Sequence, residues 1–254
     1  MSDRIQKFLT PALVLIIILV AWEGLVAAFN IQRFLLPRPS EILANLRENI
    51  DPITQAALFT LREALGGFAL GCGLGILMAM ATARWTATSE ALMPFAIAAN
   101  STPIIAFAPI MNNWFGIENP FSRMAIVAIM VFFPMMINTV RGLTSVDTRS
   151  LELMRSYAAS DFDILFKLRI PNSLPYLFNG FKVAAALSMI GAVVGEYFGG
   201  PRIALGVFIT QEAALFRFAS AWAAIFVACL LGIALYVIII LVERWAMPWH
   251  SSFR

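Results

Sequence analysis

From Phe218 to Val242 the chain runs for 25 residues without a single charged side chain. At about 1.5 Å of rise per residue, about 20 apolar residues cross a hydrocarbon core of about 30 Å, so this stretch is long enough to span a membrane. Five more stretches qualify: Phe8 to Phe29, Leu58 to Ala83, Ala91 to Trp114, Phe121 to Val140 and Leu177 to Phe198. Apolar residues fill every face of each run, and glycine and alanine recur in them, as in helices that pack closely in lipid. The alternation of a transmembrane strand is absent from these runs. Charged residues make up 13% of the chain, against about 25% in a water-solvated domain. The expected fold class is therefore an all-α membrane protein with six transmembrane helices, built as a single transmembrane domain over 1–254. The first stretch, although preceded by Arg4 and Lys7, is expected to be retained as a span and not cleaved as a signal. Cys72 and Cys229 both fall in apolar runs and are expected to be packing residues.

Orientation follows from the basic residues. With six spans, one face holds ten of them, Arg141, Arg149, Arg155, Lys167 and Arg169 in one connection, and the other face holds seven. The richer face is expected to be cytoplasmic, which puts both termini of a multi-pass membrane protein on that side. Between the first two spans, Leu36-Pro37-Arg38-Pro39-Ser40 breaks any helix. Ser40 is expected to cap a short interfacial helix carrying Ile42, Leu43, Leu46 and Ile50, and Asp51-Pro52 to start a second helix that runs into span two.

Several activities are excluded. The three lysines, Lys7, Lys167 and Lys182, do not follow a glycine, so no phosphate-binding loop of the G-x-x-x-x-G-K-[ST] type is present. The only histidine, His250, lies in the C-terminal tail, and no nucleophile-base or paired-carboxylate arrangement emerges, so no catalytic residue is assigned. Basic residues are interspersed with acids, which gives no footprint for nucleic acid. No metal site and no cofactor of its own are expected. Glu23, Arg62, Glu63, Lys182 and Glu196 sit near span ends, where they either face headgroups or pair with one another. Glu196 stands out, because Gly191, Gly195, Gly199 and Gly200 around it allow close approach of other backbones, and it is a candidate gate.

A substrate path is sought where a span carries polar groups at mid-depth. Asn100, Ser101, Thr102 and Pro103 lie about ten residues into span three, and Pro103 removes a backbone donor there. Irregular backbone at that depth must face protein or water, so these four residues either line a pore or form a kink that satisfies itself. Ser188 and Met189 in span five come next, and Asn112 and Asn113 are placed for an outer gate or a partner contact.

The connection between spans four and five, residues 145–175, is long and mixed in charge. Leu151, Met154, Tyr157 and Ala158 recur at helical spacing, with Glu152, Arg155 and Ser156 on the polar side. A second helix is expected to start at Ser160, with Asp163 completing a capping box, and to end at Pro171 and Pro175. Periodicity alone fits a cytoplasmic docking elbow and a hairpin lying on the membrane surface equally well.

The spacing in this loop resembles the EAA signature of permease subunits of binding-protein-dependent ABC importers: E-A-A, three residues, G, nine residues, I-x-L-P. Glu152-Leu153-Met154, Ala158 and Leu168-Arg169-Ile170-Pro171 match every interval. Leu153 and Met154 replace the two alanines and make a bulkier face. Ala158 stands where the family has glycine, so a turn with φ > 0 there would be strained, and the break is expected to shift toward Ser160. Leu36 to Ile42, Pro103 to Pro109 with Trp114-Phe115-Gly116, and Ala192 to Glu196 are similar to the nitrate/sulfonate/taurine branch, which includes permeases for thiamine-pyrimidine precursors. The resemblance implies a type I importer permease that forms a homodimer. It implies a cytoplasmic ABC ATPase dimer, which holds the ATP and magnesium, gripping Glu152, Met154, Arg155, Tyr157, Ala158, Ser160 and Pro171, and an extracytoplasmic binding protein delivering a sulfonate, taurine, nitrate or pyrimidine-type solute. The alternatives are an ATPase-independent carrier or channel, for which no inverted repeat is visible, and a membrane scaffold.

Overall fold

A computed structural model describes residues 2–83, 94–99 and 102–248 of the chain. Among them the regular structure is entirely helical: α1 (Ser2–Ala28), α2 (Pro39–Glu48), α3 (Ile50–Ala83), α4 (Ala108–Phe115), α5 (Pro120–Thr144), α6 (Thr148–Ser156), α7 (Asp161–Ile164), α8 (Ile170–Tyr197), α9 (Leu205–Ala214) and α10 (Phe218–Ala246). Four helical stretches, Ile50–Thr82, Pro120–Thr144, Asp161–Tyr197 and Phe218–Ala246, are long and apolar enough to cross a membrane. Shorter apolar helices occupy Leu13–Ala28 and Ile104–Phe115. The protein is an all-α membrane protein, as its uncharged runs require.

α5 lies between α3 and α8, and glycine sets both distances. A Cβ on Gly71 of α3 would meet the Ala128 carbonyl and Val131 of α5, and one on Gly191 of α8 would come within 2.8 Å of Met130 Sδ. Small residues thus bring these backbones together where lipid provides no hydrophobic drive for association. Val127, Val131 and Met135 on α5 and Ala184 and Ala192 on α8 are fully buried in the resulting seam.

Three local expectations are corrected. The third stretch, expected as one run from Ala91 to Trp114, is interrupted. Residues 94–99 are helical, Pro103 is not (φ −69°, ψ 82°), Ile104–Phe107 form a tight turn, and α4 begins only at Ala108 with Pro109 in its first turn. Two prolines six residues apart deny the continuous bonding a single helix needs. Asn100 and Ser101 lie outside the described residues. The cap of α2 is Arg38, not Ser40. Ser40 is already helical and donates both its N–H (3.0 Å) and its hydroxyl (2.7 Å) to the Glu23 carboxylate of α1. Of the apolar residues expected on one side of α2, Ile42 is buried while Leu43 and Ile50 are exposed. α3 does start beside Asp51-Pro52 and runs into the second span.

The third correction concerns Pro171 and Pro175, which do not end the helix that starts after Ser160. Helical structure continues from Asp161 to Tyr197 because one turn, Leu165–Arg169, widens so that the Ile170 N–H reaches the Leu165 carbonyl. Widening moves the Lys167 carbonyl away from the Pro171 ring, which would clash with it in a regular α-turn.

Candidate functional site

The connection between α5 and α8 folds into an elbow at one end of the bundle. α6 is capped at its start by Asp147, with Glu152 exposed on it and Met154 half-buried. It ends in a paired-bond terminus: the Ala158 N–H donates to the Arg155 carbonyl (2.9 Å) and the Ala159 N–H to the Met154 carbonyl (3.0 Å). This motif requires a left-handed residue at the position after the cap, and Ala158 supplies it with φ +54°. The break therefore does not shift toward Ser160. Alanine takes up the glycine conformation, because two backbone bonds outweigh a left-handed penalty of about 1–2 kcal/mol.

Ser160 caps the next helix as expected. The Asp163 N–H donates to Ser160 Oγ (3.2 Å), Ser160 Oγ donates to Asp163 Oδ2 (2.5 Å), and Lys167 Nζ pairs with Asp163 Oδ1 (2.5 Å). The elbow is thus a hub of two short helices, the first closed by bonds at Ala158 and Ala159 and the second opened by Ser160. Its outward surface presents Leu153 (58% exposed), Tyr157 (78%), Phe162 (69%) and Phe166 (51%), with the two phenylalanine rings 4.4 Å apart. Arg155 lies exposed beside them. The hub is tied to the bundle on its α8 side, where Asn172 Nδ2 donates to the Gly142 carbonyl (3.2 Å) and to Ser145 Oγ (3.0 Å). Pro171 lies between this tie and the widened turn.

The opposite end of the bundle holds the charges. Arg123, the fourth residue of α5, is completely buried, with Nε 2.7 Å from Glu63 Oε1 of α3 and Nη1 donating to the Ile117 carbonyl (2.6 Å). Glu196 of α8 accepts from Thr60 Oγ1 (2.7 Å) and from the Gly206 N–H (2.6 Å), while the Leu205 N–H donates to Thr60 Oγ1 (3.0 Å). Glu196 thus closes a bracket among α3, α8 and the start of α9, and its side chain has no open surface. Of the charges near span ends, Glu63 pairs with Arg123 and Lys182 with Glu243 (2.6 Å). Asn112 is also a bracket: Ser122 Oγ donates to its Oδ1 (2.5 Å), and its Nδ2 donates to the Phe198 carbonyl (3.2 Å). Asn113 is exposed and faces a hollow of about 770 Å³ with Gly116, Glu118 and Asn119.

The expected path residues separate. Thr102 and Pro103 are exposed on the non-helical segment. Ser188 is fully buried, and its hydroxyl donates to its own helix at the Ala185 carbonyl (2.9 Å). Met189 is buried at the wall of an apolar hollow between α8 and α10. Sequence reasoning missed one polar pair inside the spans, Asn138 of α5 and Asn179 of α8, whose amides are 3.1 Å apart. The signal was available, since an amide in an apolar run needs a partner.

Residues 71–248 match the family model of the binding-protein-dependent transport system inner membrane component. The chain is 32% identical to the formylaminopyrimidine transport permease protein ThiX of Halalkalibacterium halodurans, over 98% of this chain and 99% of that one. It is 31% identical to the riboflavin transport system permease protein RibX of Chloroflexus aurantiacus, over 98% and 94%. It is 25% identical to the putative aliphatic sulfonates transport permease protein SsuC of Bacillus subtilis, over 94% and 86%. These relatives are transport permeases and not enzymes, and the match extends through the elbow, the glycine seam and the charged end alike. The chain accordingly belongs to the inner membrane components of binding-protein-dependent transport systems, as a multi-pass permease of the ABC importer type.

Proposed function

We propose that the elbow is the seat of a cytoplasmic ATPase and that two copies of this chain, with two ATPase subunits and an extracytoplasmic binding protein, import a small heterocycle. The observation that carries this reading is the exposure of Leu153, Tyr157, Phe162 and Phe166 on a hub that also presents Glu152 and Arg155. An apolar centre with a charged rim has the composition of a protein interface core. Its basic residues support a cytoplasmic position for it and for both termini. ATP and magnesium belong to the partner. Closure of the ATPase pair moves α6, and the widened turn at Leu165–Arg169 passes that movement to α8 and so to the path.

The formylaminopyrimidine and riboflavin permeases resemble the chain over nearly its whole length at higher identity than the sulfonate permease does. A heterocycle also suits the exposed side of α8, where the one charge near it between Tyr176 and Tyr197, the half-buried Lys182, is neutralised by Glu243 (2.6 Å).

The test is co-purification. Changing Glu152→Ala together with Tyr157→Ala is expected to reduce recovery of the ATPase with the chain at least tenfold while the chain still inserts in the membrane. Undiminished recovery refutes the docking assignment. Gradient-driven uptake by the purified chain alone in vesicles would instead establish the ATPase-independent carrier.

A further inference from the structure

α8 is the most enclosed of the long helices. Half of the most apolar stretch in its span is buried, whereas none of the corresponding stretch of α10 is. One side of it nevertheless stays open: Tyr176, Asn179, Val183, Ala186, Ile190 and Tyr197 are all exposed and follow at intervals of three, four or seven residues. Such spacing makes a single stripe. From Asn179 to Tyr197 the stripe is about 27 Å long at 1.5 Å per residue, close to the hydrocarbon thickness of about 30 Å. Beyond Val183 it deepens into a hollow of about 530 Å³ between α8 and α10, lined by Met189, Ile190, Val193, Gly232 and Tyr236 among others.

Asn179 is the uncharged polar residue at the elbow end of this stripe, one turn before Lys182, whose charge is paired with Glu243 of α10 (2.6 Å), and its geometry is fixed from behind. Its Nδ2 donates to Asn138 Oδ1 (3.1 Å), and Asn138 Nδ2 in turn donates to the Pro134 carbonyl (2.8 Å). Gly180 lets α5 come this close, since a Cβ there would lie 3.3 Å from that of Asn138. With both ends of the Asn138 amide engaged, the orientation of Asn179 is set. Among the described residues the Asn179 side chain makes no other hydrogen bond and the residue is exposed, so its carbonyl and second amide hydrogen remain available. An amide left so in hydrocarbon would lose its water without compensation. Asn179 is the third residue of the span that begins at Leu177, so this open edge stands at the elbow end of the stripe, at its inner mouth. One donor beside one acceptor matches the edge of a nitrogen heterocycle, whereas a sulfonate or nitrate offers acceptors alone and would meet the amide carbonyl unfavourably.

We propose that Asn179, oriented by Asn138, is the polar contact for a nitrogen heterocycle passing along the open stripe of α8. This rests on the permease reading above, and the test separates the two. In the assembled transporter in membrane vesicles, with Cys229→Ala as background, Asn179→Cys and Val183→Cys are exposed to a charged, membrane-impermeant methanethiosulfonate. Leu230→Cys on α10 is the lipid-facing control. Both α8 positions are expected to react at least tenfold faster than Leu230→Cys, and Val183→Cys keeps the amide pair intact in case Asn179→Cys fails to fold. Uptake of formylaminopyrimidine is expected to fall at least tenfold in Asn179→Leu, with the ATPase recovered alongside the chain in wild-type amount. Reaction no faster than at Leu230, because lipid or a second copy covers the stripe, overturns the proposal. So does wild-type uptake by Asn179→Leu, or a wild-type transporter that imports taurine and not the pyrimidine. If instead no ATPase assembles with the wild-type chain, the permease reading fails while the labelling rates still decide whether the stripe is wet.

Discussion

The buried pair of Arg123 and Glu63 makes the sharpest quantitative prediction. Both side chains are essentially without solvent contact, 0% and 1% exposed, and their charged atoms are 2.7 Å apart. At an effective dielectric constant of about 20 the attraction is about 6 kcal/mol, and much of it offsets the cost of taking both ions out of water. Removing one partner leaves the other buried and uncompensated, at about 3–5 kcal/mol. Arg123→Met also removes the bond to the Ile117 carbonyl, a charged hydrogen bond of about 1.5–3 kcal/mol in other proteins, so it belongs at the upper end of that range. Glu63→Met is expected at the lower end. The double variant should cost about as much as either single one, because neither charge is then stranded, which gives a coupling of at least about 2 kcal/mol. Loss of helicity by circular dichroism during titration of the purified chain with dodecyl sulfate measures all three. A cost below about 1 kcal/mol for Arg123→Met, or strict additivity in the double variant, would refute the claim that this pair bolts α3 to α5.

Other outcomes follow from single contacts. Ala158→Gly removes a left-handed alanine and should stabilise the elbow by about 0.5–1 kcal/mol net of the added freedom of the unfolded chain, read as slower proteolysis between Ser156 and Ser160; faster cleavage would count against the strain. Gly71→Leu places a side chain against the Ala128 carbonyl and Val131, and overpacking of about 1–3 kcal/mol or more should show as a lower midpoint in the same dodecyl sulfate titration. An unchanged midpoint would mean that α3 and α5 are not in contact at this seam. Thr60→Val deletes one donor to Glu196 and the acceptor for the Leu205 N–H, and should cost about 1–3 kcal/mol by leaving buried polar atoms unsatisfied; a stabilised variant would contradict the bracket.

What was legible in the sequence were features decided by a helix on its own. The uncharged runs, the cap at Ser160 and the start of α3 beside Asp51-Pro52 depend on residues within a turn or two of one another, and the structure shows each. What could not be read depends on which helix stands opposite. Arg123 counts as a loop charge until Glu63, 60 residues earlier, is brought against it. Ser188 was chosen by depth, but depth along a span does not reveal side, and a hydroxyl can satisfy itself on its own backbone. Asn138 and Asn179 are separated by 41 positions and pair only because Gly180 lets their helices approach.

Pro171 and Pro175 expose a different limit. The rule that proline ends a helix concerns an isolated segment, where the lost bond and the clash have no remedy. Here the chain on the far side of Pro171 is held by Asn172 to Gly142 and Ser145, and on the near side Ile164 is buried. With both ends fixed, the least costly adjustment is one wide turn between them, not a break. The element that joins the elbow to the bundle is therefore continuous from Asp161 to Tyr197 yet locally under-bonded. A helix ended by Pro171 would instead have left a non-helical gap between the buried Ile164 and the tie at Asn172.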